Sequence, residues 1–291
     1  MAGTESTCLY YLVINGERVT TSGAVVLHNY HAITMKMYAA VLLFALAPNS
    51  DAFVPTRPTL IPASLIVRQS ASSETSFKPI LEELRDVAMK LHTREQAPKE
   101  GEAEGPKKPA EPFVPTQSDY LQFLVDSKEV YTALEDIVNG NDKLEPFRNS
   151  GLERTEALEH DIKWMTTKFG IERAQCGRPG RMYAEELRQM IKSDDDIPAF
   201  VCHFYNFYFA HMAGGRMIGK QMSKLLLDGE DLEFYKWDEN VNELKARNKE
   251  AIENFATSWT REQRDRCVNE TPNTFKGGGS LNGYLFGGSP H

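Results

Sequence analysis

The sequence predicts an all-α, single-domain helical bundle behind a targeting leader, and three observations carry that prediction. Beyond residue 76, apolar residues recur at spacings of three and four, the period of a helix with one buried face. No stretch alternates with the two-residue period of a strand for long enough to build a sheet. The segment "AFVCHFYNFYFAHMAGGRMIGK", Ala199 to Lys220, begins apolar almost all round, which marks a central buried helix.

Residues 1–34 fit no leader and read as an upstream extension from a start codon assigned too early. From Met35 the chain reads "MKMYAAVLLFALAPNSDAFVPT": a lysine, an apolar run from Met37 to Ala47, then small residues to Ala52. That is the order of a signal peptide, 35–52, and the run is shorter than the roughly 20 residues of a membrane span. Phe53 to Ser73 carries Arg57, Arg68, several serines and no acid, which makes 53–75 a transit peptide. The pair resembles the bipartite leaders of algae with secondary, red-lineage plastids, and implies delivery to the plastid stroma.

The folded domain is expected over 76–275. Its first helix lies in "SFKPILEELRDVAMKLHTREQA", where Phe77, Ile80, Leu81, Leu84, Val87, Ala88 and Leu91 form the apolar stripe, with Thr75 or Ser76 placed to cap it. Residues 97–112, rich in charge, proline and glycine, predict a flexible loop. Further helices are predicted at Ser118–Val138, Arg154–Phe169, Tyr183–Ser193, Pro198–Leu227 and Glu239–Glu270. The glycine-rich 276–291 predicts a disordered tail.

The net charge of −8 argues against nucleic acid as a partner. Cys8, Cys176, Cys202 and Cys267 show neither a C-x-x-C pair nor a zinc spacing, so neither a disulfide framework nor thiol redox chemistry is expected.

Two features point to chemistry. His92 follows the apolar stripe of the first helix, and Arg85, seven residues earlier, shares its face. Alone, such a histidine is more often a surface residue. In the central helix, Gly214 and Gly215 stand where helix should continue, each about 1 kcal/mol worse than alanine, and glycine there allows a bend or the close approach of a flat ligand. His203 and His211 lie eight residues apart, unlike a zinc helix, and no glutamate precedes any of these histidines by three, as a di-iron bundle would need.

The stretches "AMKLHTREQA", "YLQFLVDSKEVYTALEDIV", "FRNSGLERTEALEHDIKW", "AFVCHFYNFYFAHMAGGRMIGK" and "LEFYKWD" resemble the heme oxygenases of plant and algal plastids, collinearly from about Phe77 to Phe275. The resemblance implies heme, at once substrate and cofactor, held between a proximal and a distal helix. His92 is then the proximal iron ligand. Gly214 and Gly215 lie over the macrocycle and steer dioxygen to one bridging carbon, giving biliverdin, expected as the IXα isomer, with carbon monoxide and ferrous iron. His211 stands where other branches carry an aspartate that holds a water network, so a catalytic and a structural role are both open to it. Tyr205, Tyr208 and Phe207 are implied in the pocket.

Arg85 is the expected partner of the heme propionates, with Arg247 a second candidate that Lys245 or Lys249 could replace. Electrons are expected from ferredoxin, steered by a basic face of Lys90, Arg94, Arg216, Lys220 and Lys224. A monomer is expected, with a bilin reductase as downstream partner. Two other readings stand: a heme carrier or sensor that never turns over, and a thiaminase-like hydrolase using Cys202.

Overall fold

The computed structural model describes residues 11–14, 17–20, 77–91 and 113–287. His92, Arg94, the 97–112 loop, the leader 35–75 and the expected caps Thr75 and Ser76 lie outside the described residues.

Within the 1–34 segment, β1 (Tyr11–Ile14) and β2 (Glu17–Thr20) pair antiparallel, with Tyr11 opposite Thr20 and Ile14 opposite Glu17. No strand was expected there. The overlooked signal is the Asn15-Gly16 dipeptide between two runs of branched and aromatic residues, the commonest sequence of a tight hairpin.

All other regular elements among the described residues are helical. In order they are α1 (Ile80–Leu91), α2 (Gln117–Gly140), α3 (Thr155–Phe169), α4 (Arg178–Met190), α5 (Ile197–Ala210), α6 (Arg216–Leu226), α7 (Val241–Ala256), α8 (Arg261–Asn269) and α9 (Thr271–Phe286). Short 3₁₀ turns stand at Asp142–Phe147, Asp194–Asp196 and Glu233–Tyr235.

Helix α2 is the hub: it starts in a capping box between Thr116 and Asp119 and packs against α3, α4 and α9. Its Asp126 carboxylate is buried and accepts the backbone N–H of Gly177 (2.6 Å) and Gly180 (2.9 Å) and the hydroxyl of Tyr284 (3.1 Å). One carboxylate thus caps the start of α4 and holds α9, consistent with the preference of helix N-termini for negative charge. That tertiary cap, with Pro179 in the first turn, explains why α4 begins five residues before its apolar pattern does.

Helix α1 buries Ile80, Leu84 and Ala88, as the stripe predicted, and Met89 besides, while Phe77 and Leu91 of the stripe are exposed. Its free N–H groups at Ile80 and Leu81 are taken by the two carboxylate oxygens of Glu253 in α7, each at 3.0 Å. Glu83 pairs with Arg261 (2.7 Å) and Arg264 (2.9 Å) of α8.

Two expectations are corrected here. Glu239–Glu270 is not one helix: α7 stops at Ala256, and Thr260 caps α8 through a capping box with Gln263. The glycine-rich segment is not a disordered tail through 286, because α9 runs across it. Thr271, Thr274, Leu281 and Leu285 are buried, and Gly277 lies so close to Tyr183 that a β-carbon would stand 2.6 Å from the ring. Packing outweighs the weak helix propensity of three consecutive glycines.

Candidate functional site

Between α5 and α6 the helix neither breaks nor continues regularly: His211–Gly215 forms one π-helical turn, in which the Arg216 N–H reaches the His211 carbonyl. The turn pushes His211 sideways against the segment after α6. Its Nε2 donates to the Phe234 carbonyl at 2.8 Å, and its ring stacks on Phe234 with centroids 4.0 Å apart and planes at 19°.

Burial pushes the His211 pKa down to about 3, assisted by the charges of Arg154 and Arg216 against the hydrogen bond to the Phe234 carbonyl. His211 is therefore a neutral imidazole at physiological pH.

A cleft of about 270 Å³ opens along this wall. Phe207, Ala210, His211 and Gly215 form one side, Phe123, Ser127 and Tyr131 of α2 another, and Phe275, Gly278, Gly279, Asn282 and Phe286 of α9 a third. Leu91, the last residue of α1, also lines it. The walls are mainly apolar with a few polar groups, the usual make-up of a site for a small organic ligand. Gly278 and Gly279 have nothing within 4 Å of a β-carbon position, so α9 presents bare backbone to the space.

Helices α1, α6 and α7 bring cations into one another's range. Burial lowers the pKa of Lys245, with Arg216 and Lys249 next in effect, and burial followed by Arg85 lowers that of Lys249. Arg85 of α1 thus acts on Lys249, and Lys249 and Arg216 of α6 act on Lys245, a run of positive groups suited to an anionic ligand edge.

The comparisons with known proteins give the family. The heme oxygenase family profile matches residues 79–281. The chain belongs to the heme oxygenase family. A relative named "Heme oxygenase 1, chloroplastic" from Oryza sativa is 44% identical over 218 residues, 74% of each chain. A second rice relative, "Probable inactive heme oxygenase 2, chloroplastic", is 36% identical, covering 56% of this chain and 49% of its own. Among solved structures, heme oxygenase-1 from the cyanobacterium Synechocystis in complex with heme superposes with a TM-score of 0.51 at 19% identity, over 60% of this chain and 80% of that one; it speaks for the helical fold.

Within this heme oxygenase fold, the structure gathers only some of the expected site residues. Phe207, His211 and Gly215 line the cleft, and Gly214 is buried in the same turn. Tyr205 and Tyr208 are buried outside the lining: Tyr205 packs on Phe209 at 4.7 Å, and Tyr208 on Tyr131 at 5.2 Å and Phe204 at 4.9 Å. Arg247 lies outside the cleft lining. It points to the surface, pairs with Glu239 at 2.6 Å and bonds the Ser150 carbonyl at 2.9 Å, while of the two alternatives Lys249 feels the charge of Arg85 and Lys245 those of Arg216 and Lys249. Positions 245 and 249 are one helical turn apart, whereas 247 falls on the far side.

Gly215 also has a cause the sequence did not suggest. A β-carbon there would stand 2.7 Å from His211 Nδ1, so the missing side chain makes room for the imidazole. At Gly219 a β-carbon would meet the Tyr235 ring at 2.6 Å.

Cys202 is fully buried, with Thr271 Oγ1 at 3.6 Å and outside the cleft lining, so it is no nucleophile facing a ligand. His203 belongs to a buried chain: Tyr183 hydroxyl to Nδ1 at 2.8 Å, Nε2 to Glu270 at 3.0 Å. It joins α4, α5 and the start of α9. Sequence reasoning missed Tyr131 and all of α9 as parts of the cleft lining. Tyr131 is an ordinary helix residue in sequence, and α9 hides behind its glycines.

Proposed function

We propose that the chain binds heme in this cleft and opens the macrocycle oxidatively to biliverdin, the IXα isomer, releasing carbon monoxide and ferrous iron. Heme supplies the iron that binds dioxygen and the carbon bridge that is cut. The observation that carries the reading is one mainly apolar cleft lined both by His211 and Gly215 of the π-turn and by the bare backbone of Gly278 and Gly279.

The chain's own residues divide the work. His92, the residue that follows Leu91, would hold the iron, in keeping with the resemblance of "AMKLHTREQA". Arg85, Lys245 and Lys249 bind the propionates and set the rotation of the ring, thereby selecting the bridge. Phe207 and the π-turn, which line the cleft, would restrict sterically the space left for dioxygen. His211, neutral and bonded through Nε2 to Phe234, offers Nδ1 to a water, in place of the aspartate of other branches.

Electrons come singly from a ferredoxin. Arg216, Lys220 and Lys224 stand exposed at successive turns of α6, a local basic stripe that would steer an acidic partner despite the net charge of −8. The chloroplastic names of the relatives and the order of the leader support a plastid location, in the stroma, where biliverdin feeds a bilin reductase.

The test is turnover of the mature protein with heme, ferredoxin, its reductase and NADPH. Loss of the heme absorption bands with formation of biliverdin is expected, and His92→Ala should abolish it. Intact heme bands under those conditions would make the protein a carrier or sensor. Lys245→Ala with Lys249→Ala should weaken heme binding or yield a mixture of biliverdin isomers.

A further inference from the structure

Three segments meet behind the cleft wall. Asp161 of α3 is 1% exposed, and its two carboxylate oxygens accept the backbone N–H of Glu233 (3.0 Å) and of Phe234 (2.7 Å). Those residues open the 3₁₀ turn Glu233–Tyr235, whose Phe234 carbonyl receives Nε2 of His211 at 2.8 Å. A carbonyl has no proton to give, so this bond exists only when Nε2 carries the hydrogen. A neutral ring protonated there has a bare lone pair on Nδ1. Nδ1 is the atom nearest a β-carbon position at Gly215, and both residues line the cleft.

We propose that Asp161 is a positioning residue for this reaction: it clamps the 233–235 turn so that the Phe234 carbonyl locks His211 in the Nε2–H tautomer and leaves Nδ1 as an acceptor at the cleft wall. An acceptor there takes a hydrogen bond from a water or hydroxyl group, whereas the opposite tautomer would direct a donor into the same space. The catalytic consequence rests on the heme reading of the cleft; the tautomer does not.

The surroundings favour the arrangement. Arg154, over the Trp237 ring at 4.8 Å, and Arg216 oppose a second proton on His211, and Tyr131, Phe234, Tyr235 and Trp237 enclose the ring. On the outer side His160 touches Asp161 at 3.1 Å. Tyr235 adds stiffness to the turn, with the Tyr120 hydroxyl bonded to its own at 3.0 Å.

The experiment reads the tautomer directly, by long-range proton–nitrogen correlation spectra of the heme-free protein labelled with ¹⁵N-histidine. His211 is identified by the signal lost in His211→Gln. The wild type should show the Nε2–H pattern alone; an Nδ1–H pattern would overturn the proposal. Asp161→Asn sets an amide N–H against one backbone N–H, and the exclusive Nε2–H pattern should be lost. Glu233→Pro removes one clamped N–H at the first residue of the turn, where Leu232 is already extended with ψ 151°. It should give a smaller change in the same direction and carries the test if Asp161→Asn does not fold. A folded Asp161→Asn or Glu233→Pro protein that keeps the pure Nε2–H pattern overturns the proposal. Loss of the pattern together with normal heme turnover would retain the clamp and separate it from the reading of the cleft as a catalytic site.

Discussion

His211 and Gly215 occupy the two ends of one π-turn, and the imidazole of the first fills the space a side chain on the second would need, 2.7 Å from Nδ1 to the β-carbon position. Gly215→Ala should therefore displace the ring and lower the melting temperature, despite a gain of up to about 1 kcal/mol in helix propensity. In Gly215→Ala/His211→Ala the obstructing ring is absent, and the loss caused by the alanine at 215 should vanish. A double-mutant cycle measures this; additive effects would show that the two residues do not compete for the space.

Gly278 and Gly279 should behave in the opposite way. With open space at both β-carbon positions, alanine at either is expected to stabilise the protein by up to about 1 kcal/mol in denaturant unfolding. Gly279→Leu should still fold but weaken heme binding by about tenfold, close to 1.4 kcal/mol, as its branch enters the cleft. Heme titration followed by absorbance checks it, and unchanged affinity would place the ligand elsewhere.

The depressed pKa of His211 makes stability depend on acidity in a defined direction. The unfolded ring takes a proton near its ordinary value of about 6.5, while the folded ring stays neutral to about pH 3. Stability from this group is therefore complete above pH 6.5 and declines as pH falls, by up to about 1.4 kcal/mol per unit. In His211→Gln, urea unfolding between about pH 7 and pH 5 should show a shallower decline than in the wild type.

Asp126 joins α2, α4 and α9 through a single buried carboxylate. Asp126→Ala leaves two backbone N–H groups and the Tyr284 hydroxyl without their acceptor, at a cost on the order of 3 kcal/mol. Thermal unfolding should register it as a large fall in melting temperature. Tyr284→Phe, which removes one bond and strands no backbone donor, should cost only about 1 kcal/mol.

Helix period and family resemblance were both legible in the sequence. Ile80, Leu84 and Ala88 form the buried stripe of α1 as their spacing requires, and the apolar α5 is central. Less legible was whatever depends on a distant partner. Glu253 caps a helix 173 residues earlier, and no local pattern announces it. Gly277 reads as a helix breaker until Tyr183 is seen against it, and Arg247 differs from Lys245 and Lys249 only by register, which the surface pairing with Glu239 decides. Asp161 sits in an unremarkable stretch of α3, and its importance comes from the turn it faces.

The cap on α1 has a consequence for the order of assembly. An isolated twelve-residue helix is marginal in water, and this one takes its N-terminal acceptors from α7 and its ion pairs from α8. During synthesis from the N-terminus, the segment that precedes His92 emerges long before the groups that stabilise it, and α9, the opposite wall of the cleft, comes later still. The helix whose last residue, Leu91, lines the cleft is thus completed by the last third of the chain. A nascent polypeptide released before Glu253 would have no finished cleft.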